Sequence, residues 1–264
     1  MKAVSLRSAT ATRYVLPLRE GGSLPAIVEA DDCGLYVVKF RGAGQGPTAL
    51  VAELVAGEIG RALGLSVPEI IFIELDAALG RNEPDAEIRH LLNASIGLNL
   101  ALDYLPGSTM FDPAASDLVD PAEASLAVWF DAFVQNVDRT PRNANLLVWH
   151  KKLYLIDHGA ALYFHHNWET MPRKALSPFA EIAHHVLLPW ATQIEEVSEK
   201  AQAMLTPEIF ESIMEQIPDA WLESNSDGIT AAVKRVAYVE FFLTRLATSS
   251  IFEQEATRAH ASLI

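Results

Sequence analysis

Between Asp138 and Gly159 the chain has to reverse direction once, and that reversal gathers three oxygen-bearing side chains at one end of two strands. Asn145-Leu-Leu-Val-Trp149 and Leu153-Tyr-Leu-Ile156 are apolar, β-prone runs separated by the polar His150-Lys151-Lys152. The pattern predicts a hairpin with a three-residue turn. Pairing Trp149 with Leu153 sets Asn145 opposite Asp157, with Asn143 one pleat further at the same end. Diagonal neighbours on paired strands lie roughly 7–8 Å apart at Cα and closer at their tips. Mg2+ takes oxygen ligands at about 2.0–2.1 Å and usually keeps waters and substrate phosphates beside one or two protein ligands. An Asn and an Asp at the open end of one hairpin meet that requirement, and Asp138 enters the same corner from the preceding segment. Either half alone is ordinary turn chemistry, because Asp and Asn are common in turns. Their order about a single hairpin is what marks a site.

The chain around that hairpin is long enough for a sizeable core, at 264 residues of which half are hydrophobic. A formal net charge of −14 argues against a general nucleic-acid binder, which needs basic patches. A nucleotide would therefore depend on a few local cations and a metal. The single cysteine, Cys33, sits in Asp31-Asp32-Cys33-Gly34, where acidic neighbours disfavour a thiolate. One cysteine cannot form an internal disulfide, which fits a reducing compartment. The first residues lack a leader-like apolar stretch and no run reaches membrane-spanning length, so a cytoplasmic location without a membrane span is expected.

Strand signals dominate the first hundred residues. Ala26-Ile-Val-Glu29 and Leu35-Tyr-Val-Val-Lys-Phe40 flank the Asp31–Gly34 turn, and Glu20-Gly21-Gly22-Ser23 forms a glycine loop just before them. Thr48 is placed to cap a helix running to about Leu63, with Gly64 beyond it. Glu69–Ile73 and Leu98–Tyr104 read as further strands, giving a small sheet with one helix. After Pro106-Gly107, Asp120-Pro121 starts a helix to about Val137. Helices are expected from Ser177-Pro178 to about Leu188 and over 193–205, 207–216 and 230–247. Strands followed by helices predict an α+β chain in two lobes, a β-rich 1–105 and a mostly helical 106–264.

Lys39 lies inside an apolar strand, where an ammonium needs an anion or a carboxylate partner. On the following helix Glu53 shares a stripe with the small residues Ala49, Ala56, Gly57 and Gly60, a face that another backbone can approach closely. Glu58 instead lies near Arg61, three residues on. Glu53 is the better placed partner for Lys39, with Glu58 the alternative. A Lys–Glu pair that orients the lysine on phosphates is part of kinase-type sites. Gly21-Gly22-Ser23 matches neither the dinucleotide-binding nor the Walker glycine pattern. His165-His166 and His184-His185 lack zinc-site spacing and read as loop and helix-face residues.

Taken in order, the glycine loop, Val37-Val-Lys39-Phe40, Glu53, Leu102-Asp-Tyr-Leu-Pro-Gly107, Asp138-Arg-Thr-Pro-Arg-Asn143 and Ile156-Asp157-His-Gly159 resemble the HipA-like branch of the protein-kinase-like superfamily, akin to phosphatidylinositol 3-/4-kinase-like folds. The resemblance implies a two-lobed kinase fold with ATP and Mg2+ in the cleft. It implies that Asp138 is the catalytic base and that Asn143 and Asp157 hold the metal. It further implies that Lys39, braced by Glu53, meets the phosphates under a loop containing Gly22 and Ser23, while the backbone of Asp103, Tyr104 and Leu105 meets adenine. The sequence departs from eukaryotic protein kinases in Asn136-Val137 before Asp138, in His158 after Asp157, and in lacking an Ala-Pro-Glu segment. The chain begins almost at the glycine loop, so an antitoxin-binding subdomain is not expected. The expected activity is phosphoryl transfer to a hydroxyl, with Ser/Thr of a protein as acceptor. A pseudokinase-like binding module and a small-molecule kinase are the alternatives.

Overall fold

The computed structural model describes residues 6–18, 24–81, 83–114, 119–223 and 227–263. Strands β1 (Ser8–Pro17), β2 (Ala26–Ala30), β3 (Leu35–Lys39), β4 (Ile70–Leu75) and β5 (Gly97–Asp103) form a closed barrel in the order β1-β2-β3-β5-β4, and β1 is absent from the small sheet expected. Closure comes from β1, which pairs antiparallel with β2 and parallel with β4. Small and β-branched side chains, Ala26, Val28, Val38, Ile71, Ile73 and Ala101, form the core of the barrel.

Helix α1 (Pro47–Ala62) crosses outside the barrel. Its cap differs from expectation: Gly46, at φ 68°, precedes Pro47 at the first helical position, so Thr48 lies already inside the helix. A side chain at Gly57 would meet Ile70 Cδ1 at 2.4 Å, so any larger residue would require the Ile70 side chain to shift. Helix α2 (Ala86–Ala94), capped by Asp85, was not foreseen.

The later part of the chain is mainly helical. Helix α3 (Pro121–Val134) is capped by Asp120, which accepts from Glu123 N, and it stops at left-handed Gln135, three residues short of the expected end. It carries Trp129, Phe130 and Phe133 into a core that also takes Leu50, Leu54 and Ile59 of α1. Around it pack α4 (Met171–Ala175), α5 (Ile194–Met204), α6 (Pro207–Glu215), α7 (Asp219–Leu222), α8 (Ala231–Ala247) and α9 (Ser250–Ala261). The helix expected over 177–188 is two 3-10 turns, 180–184 and 188–190, broken by extended His185. No described helix is long and apolar enough to cross a membrane.

A three-stranded sheet is made of β6 (Thr109–Met110), which precedes α3, and of β7 (Leu146–Trp149) and β8 (Lys152–Leu155), which follow it. The β7–β8 register is one residue off expectation: Trp149 pairs with Lys152, Val148 with Leu153 and Leu146 with Leu155. His150 and Lys151, at φ 49° and 63°, form a two-residue turn with both central residues left-handed. That turn matches the right-handed strand twist, so Lys152 joins the ladder instead of the loop. Asn145 consequently faces Ile156, whose N–H donates to Asn145 O at 3.0 Å, and Asp157 lies one residue beyond.

Candidate active site

Asp157 follows β8 at φ 57°, a left-handed conformation that Asp tolerates better than most side chains. Its Oδ1 accepts from Lys39 Nζ at 2.6 Å, across 118 residues of sequence. Lys39 ends β3, opposite Leu100 of β5, and its Nζ also lies 3.6 Å from Glu53 Oε2. Burial opposes the charged form of Lys39, but the carboxylates of Glu53 and Asp157 outweigh it and raise its pKa above the ordinary lysine value. Glu53 is 1% exposed. Burial alone would push its pKa up, yet the Lys39 charge and hydrogen bonds from His158 hold it below the usual carboxylate range. Glu58, the alternative partner, pairs with Arg61 at 3.3 Å.

His158 closes this cluster from behind. Its backbone N–H donates to Glu53 Oε2 at 3.0 Å, and its Nδ1 lies 3.4 Å from Glu53 Oε1. The ring is fully buried and packs edge-on against Phe130 of α3, with centroids 5.7 Å apart. Glu53 thereby links the lysine on the barrel to the residue after Asp157.

On the other side of the hairpin's open end, Asn143 Nδ2 donates to Asp138 Oδ2 at 2.8 Å and Asn145 Nδ2 approaches the same oxygen at 3.4 Å. Since the Asn143 amide nitrogen is engaged, its Oδ1 is the atom left to face a cation. Among the described residues no three His, Cys, Asp or Glu side chains gather as a metal cage. A Mg2+ site asks less than that, since one carboxylate and one amide oxygen suffice when phosphates and water complete the octahedron. Asn143 Oδ1 and Asp157, whose side chain is 39% exposed, are of the right chemistry.

Asp103 and Tyr104 donate their N–H groups to Glu69 O and Leu35 O, at 2.8 and 2.9 Å. Leu105 follows at the exit of β5, and the Trp149 indole donates to Pro106 O at 3.0 Å, tying the hairpin tip to this connection. Gly22 and Ser23 lie outside the described residues.

Beneath the site lies a group that the sequence reading did not identify: Asp131 of α3, Asn136, Arg139 and His185, all buried. The signal was present in Val128-Trp-Phe-Asp-Ala-Phe-Val134, a carboxylate within an apolar helix, which demands a buried partner. His185, read as a helix-face residue, donates from Nε2 to Asp131 Oδ2 at 2.8 Å.

The family model for HipA-like kinase matches residues 13–255. The chain belongs to the HipA-like kinase family. Among solved structures, the Helicobacter pylori proinflammatory kinase CtkA is similar with a TM-score of 0.50 and 16% identity, over 98% of this chain and 99% of that one. The Golgi casein kinase, in a structure with Mn/ADP bound, aligns with a TM-score of 0.47 and 10% identity, over 95% of this chain and 73% of that one. No curated protein sequence matches. The likeness to CtkA is one of fold, and this HipA-like kinase shares its arrangement of strands and helices.

Proposed function

We propose that this HipA-like kinase is an ATP- and Mg2+-dependent phosphotransferase acting on a hydroxyl, with Ser/Thr of a protein as acceptor. The observation that carries the reading is the convergence of Lys39, Glu53 and Asp157, from three distant segments, at the same end of β7–β8 as Asp138 and Asn143. In this reading the β-rich 1–105 and the helical 106–264 are the two lobes and the nucleotide lies between them.

Phosphoryl transfer asks little covalent chemistry of a protein, and its demands are positioning and charge neutralisation. Mg2+, when bound, neutralises phosphate charge, and Asn143 Oδ1 with Asp157 would hold it. Lys39, kept cationic by its carboxylate neighbours, contacts the phosphates, and Glu53 fixes its direction. Asp138 accepts the proton of the acceptor hydroxyl. The amides of Asn143 and Asn145 point its Oδ2 and leave Oδ1 for that bond. Of the hinge amides, Asp103 N and Tyr104 N are already engaged, which makes Leu105 N–H the donor to adenine. Gly22 and Ser23 are assigned to the phosphate-covering loop.

Incubation with Mg2+ and γ-labelled ATP tests the reading. Label on this protein or on an added protein is the expected result. Label on small metabolites would shift the acceptor class, and nucleotide binding without turnover would make the chain a binding module.

A further inference from the structure

Arg139 is 1% exposed although it stands in a polar loop next to Asp138. Its Nε donates to Asp131 Oδ2 at 2.5 Å. Its Nη1 donates to Asn145 O and, at 3.3 Å, to Ile156 O. One guanidinium thus joins four pieces of backbone: helix α3, the loop bearing Asp138, the start of β7, and the residue immediately before Asp157. The Arg139 carbonyl in turn accepts from Val186 N at 3.0 Å. Asn136 adds a second route, donating from Nδ2 to Asp131 Oδ1 at 3.0 Å and accepting from Asp138 N at 3.2 Å. His185 completes the set. Leu187 N–H donates to its Nδ1 at 3.0 Å, so the ring proton sits on Nε2 and goes to Asp131.

A structural ion pair is the simplest account of such a group, but it explains little here. Buried pairs roughly break even against apolar replacements of the same volume, and Arg139 Nη2 is buried without a partner, a cost that an apolar side chain would avoid. What an apolar residue cannot do is hold the carbonyls of Asn145 and Ile156 from one rigid fork. Resting on the kinase reading above, we propose that Arg139 is the positioning residue that sets the separation of Asp138 from Asp157, with Asp131 and Asn136 as its anchors on α3. It touches neither nucleotide nor acceptor. It fixes where the base stands relative to the metal-binding carboxylate.

The test compares wild type with Arg139→Lys and Asn136→Ala, measuring melting temperature, kcat, KM for Mg·ATP, and Mn2+ affinity in the presence of a non-hydrolysable ATP analogue. Lysine preserves the charge, but its single nitrogen cannot stand both at Asp131 and between the two carbonyls, which Arg139 meets from Nε and Nη1. A misplacement near 1 Å costs on the order of a hundredfold in rate. Arg139→Lys is therefore expected to lose about a hundredfold in kcat and about tenfold in Mn2+ affinity, with metal-free nucleotide binding unchanged. Asn136→Ala, which leaves the buried ion pair whole, keeps the question open to measurement if Arg139→Lys does not fold, and should lose about tenfold in kcat at unchanged KM. Folded variants with wild-type kcat and Mn2+ affinity overturn the proposal, leaving Arg139 a structural residue. Wild type that neither binds Mn2+ with nucleotide nor transfers phosphate refutes the reading of the site itself, and the proposal with it.

Discussion

Two carboxylate–cation clusters meet at the open end of the β7–β8 hairpin, and they differ in access more than in composition. In the first, Lys39 bonds Asp157, whose side chain is 39% exposed, with Glu53 behind. In the second, Asp131 and Arg139 have fully buried side chains, and the groups those side chains bond, Asn136, Asn145 and His185, are buried too, with Ile156 partly exposed. A cluster with an exposed member can exchange partners, and in the kinase reading proposed above Lys39 would leave Asp157 for a phosphate while a metal took its place. A cluster without water cannot exchange partners cheaply, because each lost bond exposes an uncompensated charge to apolar surroundings. The comparison assigns binding to the open cluster and geometry to the closed one.

The sharpest way to break that division is Asp157→Ala. It should abolish the thermal stabilisation given by Mg·ATP and any transfer, while the ligand-free protein keeps its stability within about 1 kcal/mol, since Asp157 is 39% exposed and Glu53 stays beside Lys39 at 3.6 Å to balance its charge. Retained stabilisation in this variant would remove Asp157 from the metal site. Asp138→Ala should keep Mg·ATP binding and lower kcat by about 10²–10⁴, the usual worth of a positioned proton acceptor. Equal loss of binding and turnover would mean that Asp138 serves the nucleotide and not the acceptor.

Asp131→Ala addresses the closed cluster. It leaves the Arg139 charge buried without its carboxylate and should cost about 3–5 kcal/mol of folding stability, read by chemical denaturation. A cost near that of Asp157→Ala would show that the two clusters do not differ in the way their burial indicates.

How far the sequence announced all this follows from the same contrast. Residues of the open cluster were legible because each breaks a local pattern: Lys39 interrupts an apolar strand, Glu53 lies on a stripe of small residues, and Asp157 ends a hairpin. Arg139 and His185 break no pattern, since an arginine in a polar loop and a histidine after Ala-His are unremarkable until the fold buries them. The hairpin register slipped by one because neither His150 nor Lys151 advertises the positive φ that a two-residue turn requires. Strand β1 escaped for a related reason. Its buried positions begin with Ala9 and Ala11, too small to give the alternation a visible hydrophobic signal.

The smallest expected effect is acid sensitivity, and His185 ties part of it to the closed cluster. Burial lowers the pKa of His185, and only part of that is offset by its bond to Asp131, with the Arg139 charge acting in the same direction as burial. Burial lowers the pKa of His165 further, helped by His166 and Lys234, while its Nδ1 faces Tyr238. Both rings therefore bind a proton less readily in the folded protein than in the unfolded chain, where histidine titrates near pH 6.5. Unfolding takes up protons, so stability is level above about pH 6.5 and falls as pH drops below it, by at most about 1.4 kcal/mol per pH unit for each ring. The depressed pKa of Asp131, where the Arg139 charge and the His185 bond overcome burial, adds its own loss only as pH falls below the ordinary carboxylate value near 3.8. Between about pH 6 and 4.5 His185 supplies part of that slope, and His185→Gln should flatten it by up to one proton's share while the amide still donates to Asp131. An unchanged slope in that variant, measured by urea titration across this window, would mean that His185 protonates in the folded protein and that the closed cluster is wetter than its burial implies.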